Sequence, residues 1–186
     1  MTRARLILAA LVAAALLGWA GIDSALAKNQ TQQFFEGKLL ADKRTSKTVK
    51  QLLQSGGGFV DKKVGFHDIT GDKRDDAIVR VNSGGANGDI AVYVFSTANK
   101  KGGKLRVIFR SQKLMRVTTK TTKGVLSYRT ARYEPRDELC CPSHVTESTL
   151  GWDKATRRMK VVRRETFVPP PEAQAPAAPP PPEDPN

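Results

Sequence analysis

The residues best placed to do chemistry are oxygen-bearing side chains that recur at close intervals in one short loop. Asp68, Thr70, Asp72 and Asp76 occupy positions 1, 3, 5 and 9 of this loop, and the main-chain carbonyl of Arg74 falls at position 7. A hard cation such as calcium binds where several oxygens converge from one tight turn. The spacing therefore predicts a calcium site built from these five residues.

A loop without metal is the alternative interpretation of the same residues. Position 12 is Val79, where an EF-hand has glutamate, and Lys73 occupies position 6, where a sharp turn disfavours a side chain. In this alternative the aspartates accept hydrogen bonds from the backbone and pair with neighbouring cations. Under either interpretation Asp68 and Asp72 shape the loop. The neighbouring cations are Lys62, Lys63, Lys73 and Arg74.

The second group is Cys140 and Cys141, the two cysteines of the chain, in the segment Leu-Cys-Cys-Pro-Ser-His. Adjacent Cα atoms lie about 3.8 Å apart, below the usual disulfide range of about 4.4 to 6.8 Å. Neighbouring thiols nevertheless have a very high effective concentration in an oxidising compartment, so we predict a disulfide between them. Two reduced thiols, or a thiol paired with another chain, stay open. The spacing favours neither a zinc site nor a thiol nucleophile with His144 as its base.

The compartment follows from the beginning of the chain. Two arginines, Arg3 and Arg5, precede an apolar run at 6–17, and small residues stand at Ala25 and Ala27. This is the pattern of a secretory signal peptide over residues 1–27, and its apolar part is too short for a spanning helix. We therefore predict cleavage after Ala27 and a soluble periplasmic or extracellular protein, with no transmembrane helix in the mature chain.

After the signal peptide, the chain divides into one domain and a tail. Residues 169–186 are rich in proline and lack the apolar groups that could offset the entropy of ordering, so a disordered tail is predicted there. Residues 28–168 are left as a single domain, large enough to bury a core.

Helical signals precede strand signals within the domain. Ser46 is a suitable N-cap, and the three glycines at 56–58 end a helix; one broken helix fits equally well. We predict an α+β fold, with one or two N-terminal helices packed on a curved, mainly antiparallel sheet of about seven to eight strands. Lys123 and Gly124 mark one hairpin turn. The strand-like runs are 59–67, 77–81, 90–95, 105–110, 114–122, 125–133, 145–152 and 159–167.

Charge indicates the class of partner. The chain carries 31 Lys and Arg against 18 Asp and Glu, a formal net charge of +13, and such a field attracts polyanions. Basic clusters occur at 129–136 and 157–164, without the aromatic platform pattern that single-stranded nucleic acids require. For an exported protein the predicted partner is thus an anionic envelope component, a lipid headgroup or an envelope polymer, and not nucleic acid.

These observations predict a non-catalytic cell-envelope binding or structural module, with a basic surface and a cation-binding Asp loop. The alternative is a periplasmic enzyme of unknown reaction, a hydrolase or one that uses thiol chemistry. No serine–histidine–aspartate arrangement and no paired glutamates are visible, so no catalytic residue is assigned. The sequence leaves the oligomeric state open.

Two resemblances accompany these predictions. Asp-x-Thr-Gly-Asp-x-x-x-Asp-Ala-x-Val, from Asp68 onward, resembles the Asp-x-Asn-Gly-Asp-Gly-x-x-Asp loop of FG-GAP repeat modules, which binds calcium between two strands. Together with the signal sequence, a Gly-Gly loop, Val-Tyr-Val-Phe, Cys-Cys-Pro-Ser and a Trp-containing strand, it resembles the LppP/LprE group of exported bacterial lipoproteins over residues 58–167. The lipobox cysteine of that group is missing, so the resemblance implies architecture and location but no membrane anchor.

Overall fold

The computed structural model of the chain describes residues 22–97 and 103–170. Within these residues two helices, α1 (Ile22–Ala41) and α2 (Lys47–Ser55), precede nine strands. The strands are β1 (Phe59–Val60), β2 (Gly65–His67), β3 (Asp76–Asn82), β4 (Asp89–Ser96), β5 (Arg106–Gln112), β6 (Thr118–Thr122), β7 (Val125–Arg132), β8 (His144–Asp153) and β9 (Arg158–Phe167).

The second helix begins and ends at the residues that the sequence predicts. Ser46 has extended backbone, and its Oγ accepts a hydrogen bond from the Val49 amide at 3.3 Å. Gly56 follows the helix with φ 71°, the left-handed conformation that glycine adopts at little cost. The predicted cap and the predicted glycine stop are therefore both confirmed.

The strands form two antiparallel sheets where a single curved sheet of seven to eight strands was expected. The first sheet has the order β1–β3–β4–β5, with β2 also paired to β3, and the second has the order β6–β7–β8–β9. The α+β class and the predominance of antiparallel sheet agree with the prediction.

The division between the sheets lies in a segment whose sequence predicts one continuous strand. The run 114–122 was expected to be one strand, but β6 begins only at Thr118. Lys113 and Arg116 have φ 62° and 48°, so the chain turns sharply twice and leaves the first sheet. Lysine and arginine are not residue types that favour turns, so the sequence does not predict this break.

The first sheet is the middle layer of three. One of its faces packs on the helices, and its other face packs on the second sheet, so β3 and β4 are buried almost throughout. The helix-side core includes Phe35, Leu39, Val79, Tyr93 and Phe95. The core between the sheets includes Ile78, Val92, Val94, Ile108, Leu126, Leu150 and Met159.

The predicted strand at 59–67 is two short strands, β1 and β2, which both pair with β3. Between them, Asp61 Oδ1 accepts the Lys63 amide hydrogen bond at 2.9 Å. A side-chain bond to the amide two residues further on closes a turn, which is how aspartate interrupts strands.

The two predicted terminal segments are only partly described. Of the predicted signal peptide, residues 1–21 lie outside the described residues, and residues 22–27 belong to α1. Residues 171–186 of the tail also lie outside them, whereas Pro169 is buried. Across 22–97 and 103–170, no helix is long and apolar enough to cross a membrane.

The burial of Pro169 gives a testable end point for the folded domain. Removing residues 171–186 should leave the melting temperature unchanged, because their proline, alanine and polar residues include no large apolar side chain that could offset the entropy of ordering. Removing 169–186 should lower it by about 3 to 6 °C, the effect of losing about 1 to 2 kcal/mol of buried ring area. Differential scanning calorimetry of both truncations checks this, and equal melting temperatures would contradict the packing of Pro169.

Candidate functional site

The Asp loop between β2 and β3 is held by its own carboxylates. Asp68 Oδ1 accepts hydrogen bonds from the amides of Gly71 and Asp72 at 2.7 and 3.1 Å, and its Oδ2 accepts one from Lys73 at 2.8 Å. Lys73 has φ 63°, so position 6 adopts the conformation that normally favours glycine. Asp72 accepts the Arg74 amide at 3.0 Å and pairs with its guanidinium at 2.7 Å.

Asp76 closes the loop from inside the protein. Its side chain is almost fully buried, and Oδ2 accepts hydrogen bonds from the amides of Ile69 and Thr70 at 3.1 and 3.0 Å. Burial raises the pKa of Asp76 above its ordinary value, and hydrogen bonds from Ser96 and from the two amides oppose that shift. Asp76 therefore works as a structural acceptor between the loop and the start of β3.

These contacts agree with the prediction that Asp68 and Asp72 shape the loop, whether or not a metal binds. Asp68, Thr70, Asp72, Arg74 and Asp76 share one loop as predicted, but each carboxylate is engaged with backbone amides or with Arg74. No cluster of three or more potential metal-binding His, Cys, Asp or Glu side chains occurs in the described part of the chain. Calcium binding stays a prediction.

The cysteine segment forms a compact turn before β8. Cys140 and Cys141 are joined by a disulfide, with Cα atoms 3.8 Å apart. Asp137 organises the turn, because Oδ2 accepts the amides of Glu134 and Ser143, each at 2.7 Å. The Ser143 hydroxyl donates to Asp137 Oδ1 at 2.5 Å, and this bond is the main cause of the lowered pKa of Asp137.

The same segment does not assemble a hydrolytic triad. Ser143 donates to a carboxylate and not to an imidazole, while His144 Nδ1 lies 3.5 Å from Glu134 Oε1. A serine nucleophile needs a base as its hydrogen-bond partner. Both cysteines are in the disulfide, so neither offers the thiolate that the alternative of thiol chemistry requires.

A surface cleft brings together charged side chains that are far apart in the sequence. An open cleft of about 340 Å³ lies between the end of α1, β5 and the β8–β9 turn. Its floor is apolar and includes Phe95, Leu105 and Val107, and Asp42 is the one carboxylate that lines it within the described residues. Six cations also line this cationic cleft: Lys38, Arg44, Arg106, Arg110, Arg157 and Arg158.

Arg110 and Gln112 of β5 fix the helical wall of the cleft. Arg110 Nη2 pairs with Asp42 Oδ2 at 2.9 Å, which ties β5 to the segment after α1. Gln112 Oε1 accepts hydrogen bonds from the Ser46 amide at 2.6 Å and from the Tyr93 hydroxyl at 2.8 Å. Its amide nitrogen donates to the Arg44 carbonyl at 3.3 Å, so this side chain also holds the backbone that carries a cleft cation.

The opposite wall is the β8–β9 turn. Asp153 Oδ1 accepts the amides of Ala155 and Thr156 at 2.9 and 3.2 Å, and its carboxylate pairs with Lys160. The hydrogen bond from Lys160 is the largest cause of the lowered pKa of Asp153. Arg157 follows with φ 52°, a left-handed conformation that is costly for a residue with a side chain. Its carbonyl accepts a bond from Arg106 Nη2 at 3.4 Å across the cleft.

The side chains that line the cleft carry a net positive charge. One carboxylate faces six cations, and the buried Nε of Arg110 has no hydrogen-bond partner within the described residues. Guanidinium groups present several donors in a planar fork that matches phosphate and carboxylate oxygens. The arrangement suits a multivalent anion of small molecular size.

The basic clusters predicted from the sequence account for only part of this cleft. The basic cluster at 157–164 contains Arg157 and Arg158, but the cluster at 129–136 contributes none of the six cations. The other four come from α1, the segment after it and β5, and no local signal marks them. Their common location follows from the long-range pairing of β5 with β4 and from the contact of β5 with β9.

Comparison with known proteins adds no relative. No protein-family model, curated protein or solved structure matches the chain. The resemblance to the LppP/LprE group therefore stays a prediction.

Proposed function

We propose that the chain is an exported, non-catalytic binding module of the cell envelope, and that the cationic cleft holds a phosphate-bearing anion of an envelope component. The observation that carries this proposal is the imbalance of six cations against Asp42 around one cleft. Like charges repel one another, so the net positive charge of the side chains around this cleft favours the binding of an anion there.

The composition of the walls supports an anion with several negative charges. Arginines contribute five of the six cations, and arginine is the residue that binds phosphate through paired hydrogen bonds. Lys38 lies in the last turn of α1, where the helix dipole already favours a cation, so Lys38 alone is weak support. The arginines on β5 and at the β8–β9 turn have no such local explanation. Calcium at the Asp loop is a separate prediction on which this proposal does not depend.

Titration with inorganic tripolyphosphate tests the proposal. By isothermal calorimetry of the processed full chain we expect a dissociation constant in the micromolar range at low salt, about −8 kcal/mol. The affinity should fall at least about tenfold between about 20 and 200 mM NaCl, because exposed charges are screened over about 10 Å. No measurable binding at low salt would contradict the proposal.

Matched double variants separate the cleft from the net charge of the protein. Arg106→Gln with Arg158→Gln removes two cleft cations, and Arg132→Gln with Arg136→Gln removes two cations that do not line the cleft. We expect the first pair to weaken tripolyphosphate binding by at least about thirtyfold, about 1 kcal/mol for each charge-assisted hydrogen bond. The second pair should change the affinity less than about threefold. Equal losses would mean that only net charge matters.

A further inference from the structure

An exposed aromatic patch adjoins the cationic cleft. Phe34 and Phe66 are 49% and 51% exposed, which is unusual for phenylalanine, and both contact the buried ring of Phe35. The ring centroids of Phe34 and Phe35 lie 5.2 Å apart, and those of Phe35 and Phe66 lie 6.5 Å apart. We call Phe34, Phe35 and Phe66 the aromatic patch.

The patch and the cleft form one continuous surface. Leu105 lines both the cleft and the depression over the patch. Lys38, a cleft cation, places Nζ 5.1 Å from the centre of the Phe34 ring. Phe35 also contacts Phe95, which belongs to the cleft floor, at 5.1 Å between centroids. An apolar surface and a cationic surface thus meet along one side of α1.

Burial against the rest of the protein does not account for the two exposed rings. Phe35 already fills the position on α1 that faces the helix-side core, whereas Phe34 is its exposed neighbour. Phe66 lies on β2, a three-residue strand at the edge of the first sheet. Exposed aromatic rings that cluster in this way mark an interaction surface.

We infer that this surface docks on an anionic phospholipid bilayer, with Phe34 and Phe66 entering the boundary between headgroups and acyl chains while the cationic cleft binds lipid phosphates. The inference rests on the proposed function, because the cleft supplies the phosphate contacts. Peripheral proteins bind membranes by combining apolar side chains about 5 to 10 Å deep with cations at the headgroups. Asp75 is the one carboxylate that lines the depression over the patch among the described residues, so the surface as a whole is positive.

A bilayer fits this surface better than a soluble polymer does. A hydrophilic phosphate polymer would use the cleft and leave the rings in water. A bilayer offers phosphates and hydrocarbon at neighbouring depths, so one membrane surface can engage both the cleft and the adjoining patch. An anionic leaflet also attracts each nearby cation, by about fivefold in affinity.

Co-sedimentation with vesicles tests the inference on the processed full chain. The vesicles contain phosphatidylcholine alone or phosphatidylcholine with about a third phosphatidylglycerol. Wild type should bind the anionic vesicles and not the neutral ones. Phe34→Ser with Phe66→Ser should weaken that binding by at least about tenfold, the effect of withdrawing two partly buried rings from the boundary region. The same variant should keep wild-type affinity for soluble tripolyphosphate, which also shows that it is folded.

Phe59→Ser is the matched control, because Phe59 is 44% exposed but pairs with Asn82, at the other end of β3 from Phe66. It should bind anionic vesicles as wild type does. Unchanged vesicle binding by the double variant would overturn the inference. Tripolyphosphate binding by wild type without vesicle binding would also overturn it, and would indicate a soluble polymer or a protein partner. Failure to bind either probe would overturn the proposed function itself.

Discussion

Replacing Asp76 by alanine is expected to destabilise the domain by about 2 to 5 kcal/mol. The carboxylate is 1% exposed, and its Oδ2 is the acceptor for the amides of Ile69 and Thr70. Each buried amide that loses its acceptor costs about 1 to 3 kcal/mol. Because a domain has only about 5 to 15 kcal/mol of stability, the change removes a large share of it. Urea denaturation followed by circular dichroism measures the effect.

Asp76→Asn is the matched control for this result. Its side-chain carbonyl oxygen can accept the same two amide hydrogen bonds, so we expect it to lose less than about half as much stability as the alanine variant. Equal losses in the two variants would show that the charge matters and the hydrogen bonds do not. If the alanine variant were as stable as wild type, this would contradict the role of Asp76 as the structural acceptor of the loop.

The raised pKa of Asp76 gives the same pair of variants a pH dependence. Its pKa lies above the ordinary value of 3.8, so between the two values the folded protein binds more protons than the unfolded chain. The contribution of this group is therefore fully present below about 3.8 and is lost as the pH rises through the raised folded value. Relative to Asp76→Asn, which does not titrate, wild type should lose stability on going up through this window. Urea midpoints measured across the acid range check the sign.

Replacing Gln112 by leucine is the second change with a large expected effect, about 2 to 4 kcal/mol. One side-chain oxygen accepts hydrogen bonds from the Ser46 amide, just before α2, and from the hydroxyl of Tyr93, which is fully buried. Leucine has a similar size but no acceptor, so both donors lose their partner. The loss should be visible as a lower urea midpoint with an unchanged slope.

A double-mutant cycle with Tyr93→Phe assigns this loss to the hydrogen bond. Once the Tyr93 hydroxyl is gone, Gln112→Leu leaves one fewer donor unsatisfied. The two losses should therefore be less than additive by about 1 kcal/mol or more. Because Gln112 also donates to the Arg44 carbonyl, Gln112→Leu should weaken tripolyphosphate binding about threefold. Strict additivity would contradict the described geometry.

The parts of the fold that the sequence predicts correctly are those set by local chemistry. Ser46 and Gly56 bound α2 as expected, because a cap and a left-handed glycine depend on a few neighbouring residues. Lys123 and Gly124 connect β6 and β7 with φ 49° and 74°, in agreement with the predicted hairpin turn. The Asp loop lies between two strands as expected, because its side chains bond to amides only a few residues away.

The parts that it misses depend on long-range packing. Apolar runs such as those of β3 and β4 are compatible with one buried face or two, and only the second sheet decides that both are covered. The break at Lys113 and Arg116 has no compositional signature. The cationic cleft joins residues as distant in sequence as Lys38 and Arg158, which no spacing rule connects.

The most direct test of the cationic cleft compares two variants that each lose one positive charge in a turn, at different places in the structure. Arg157 and Lys123 both lie in turns with φ near 50°, where a residue with a side chain costs about 1 to 2 kcal/mol. Arg157→Gly and Lys123→Gly therefore each remove one positive charge and relieve the same kind of backbone strain. Only Arg157 lines the cleft, and glycine retains the carbonyl that Arg106 contacts.

Tripolyphosphate affinity, measured by calorimetry alongside the melting temperature of each variant, decides the matter. We predict that both variants melt at or above the wild-type temperature, and that Arg157→Gly alone binds tripolyphosphate at least about fivefold more weakly. A wild-type affinity in Arg157→Gly, or an equal loss in Lys123→Gly, would contradict the assignment of the cleft as the anion-binding site.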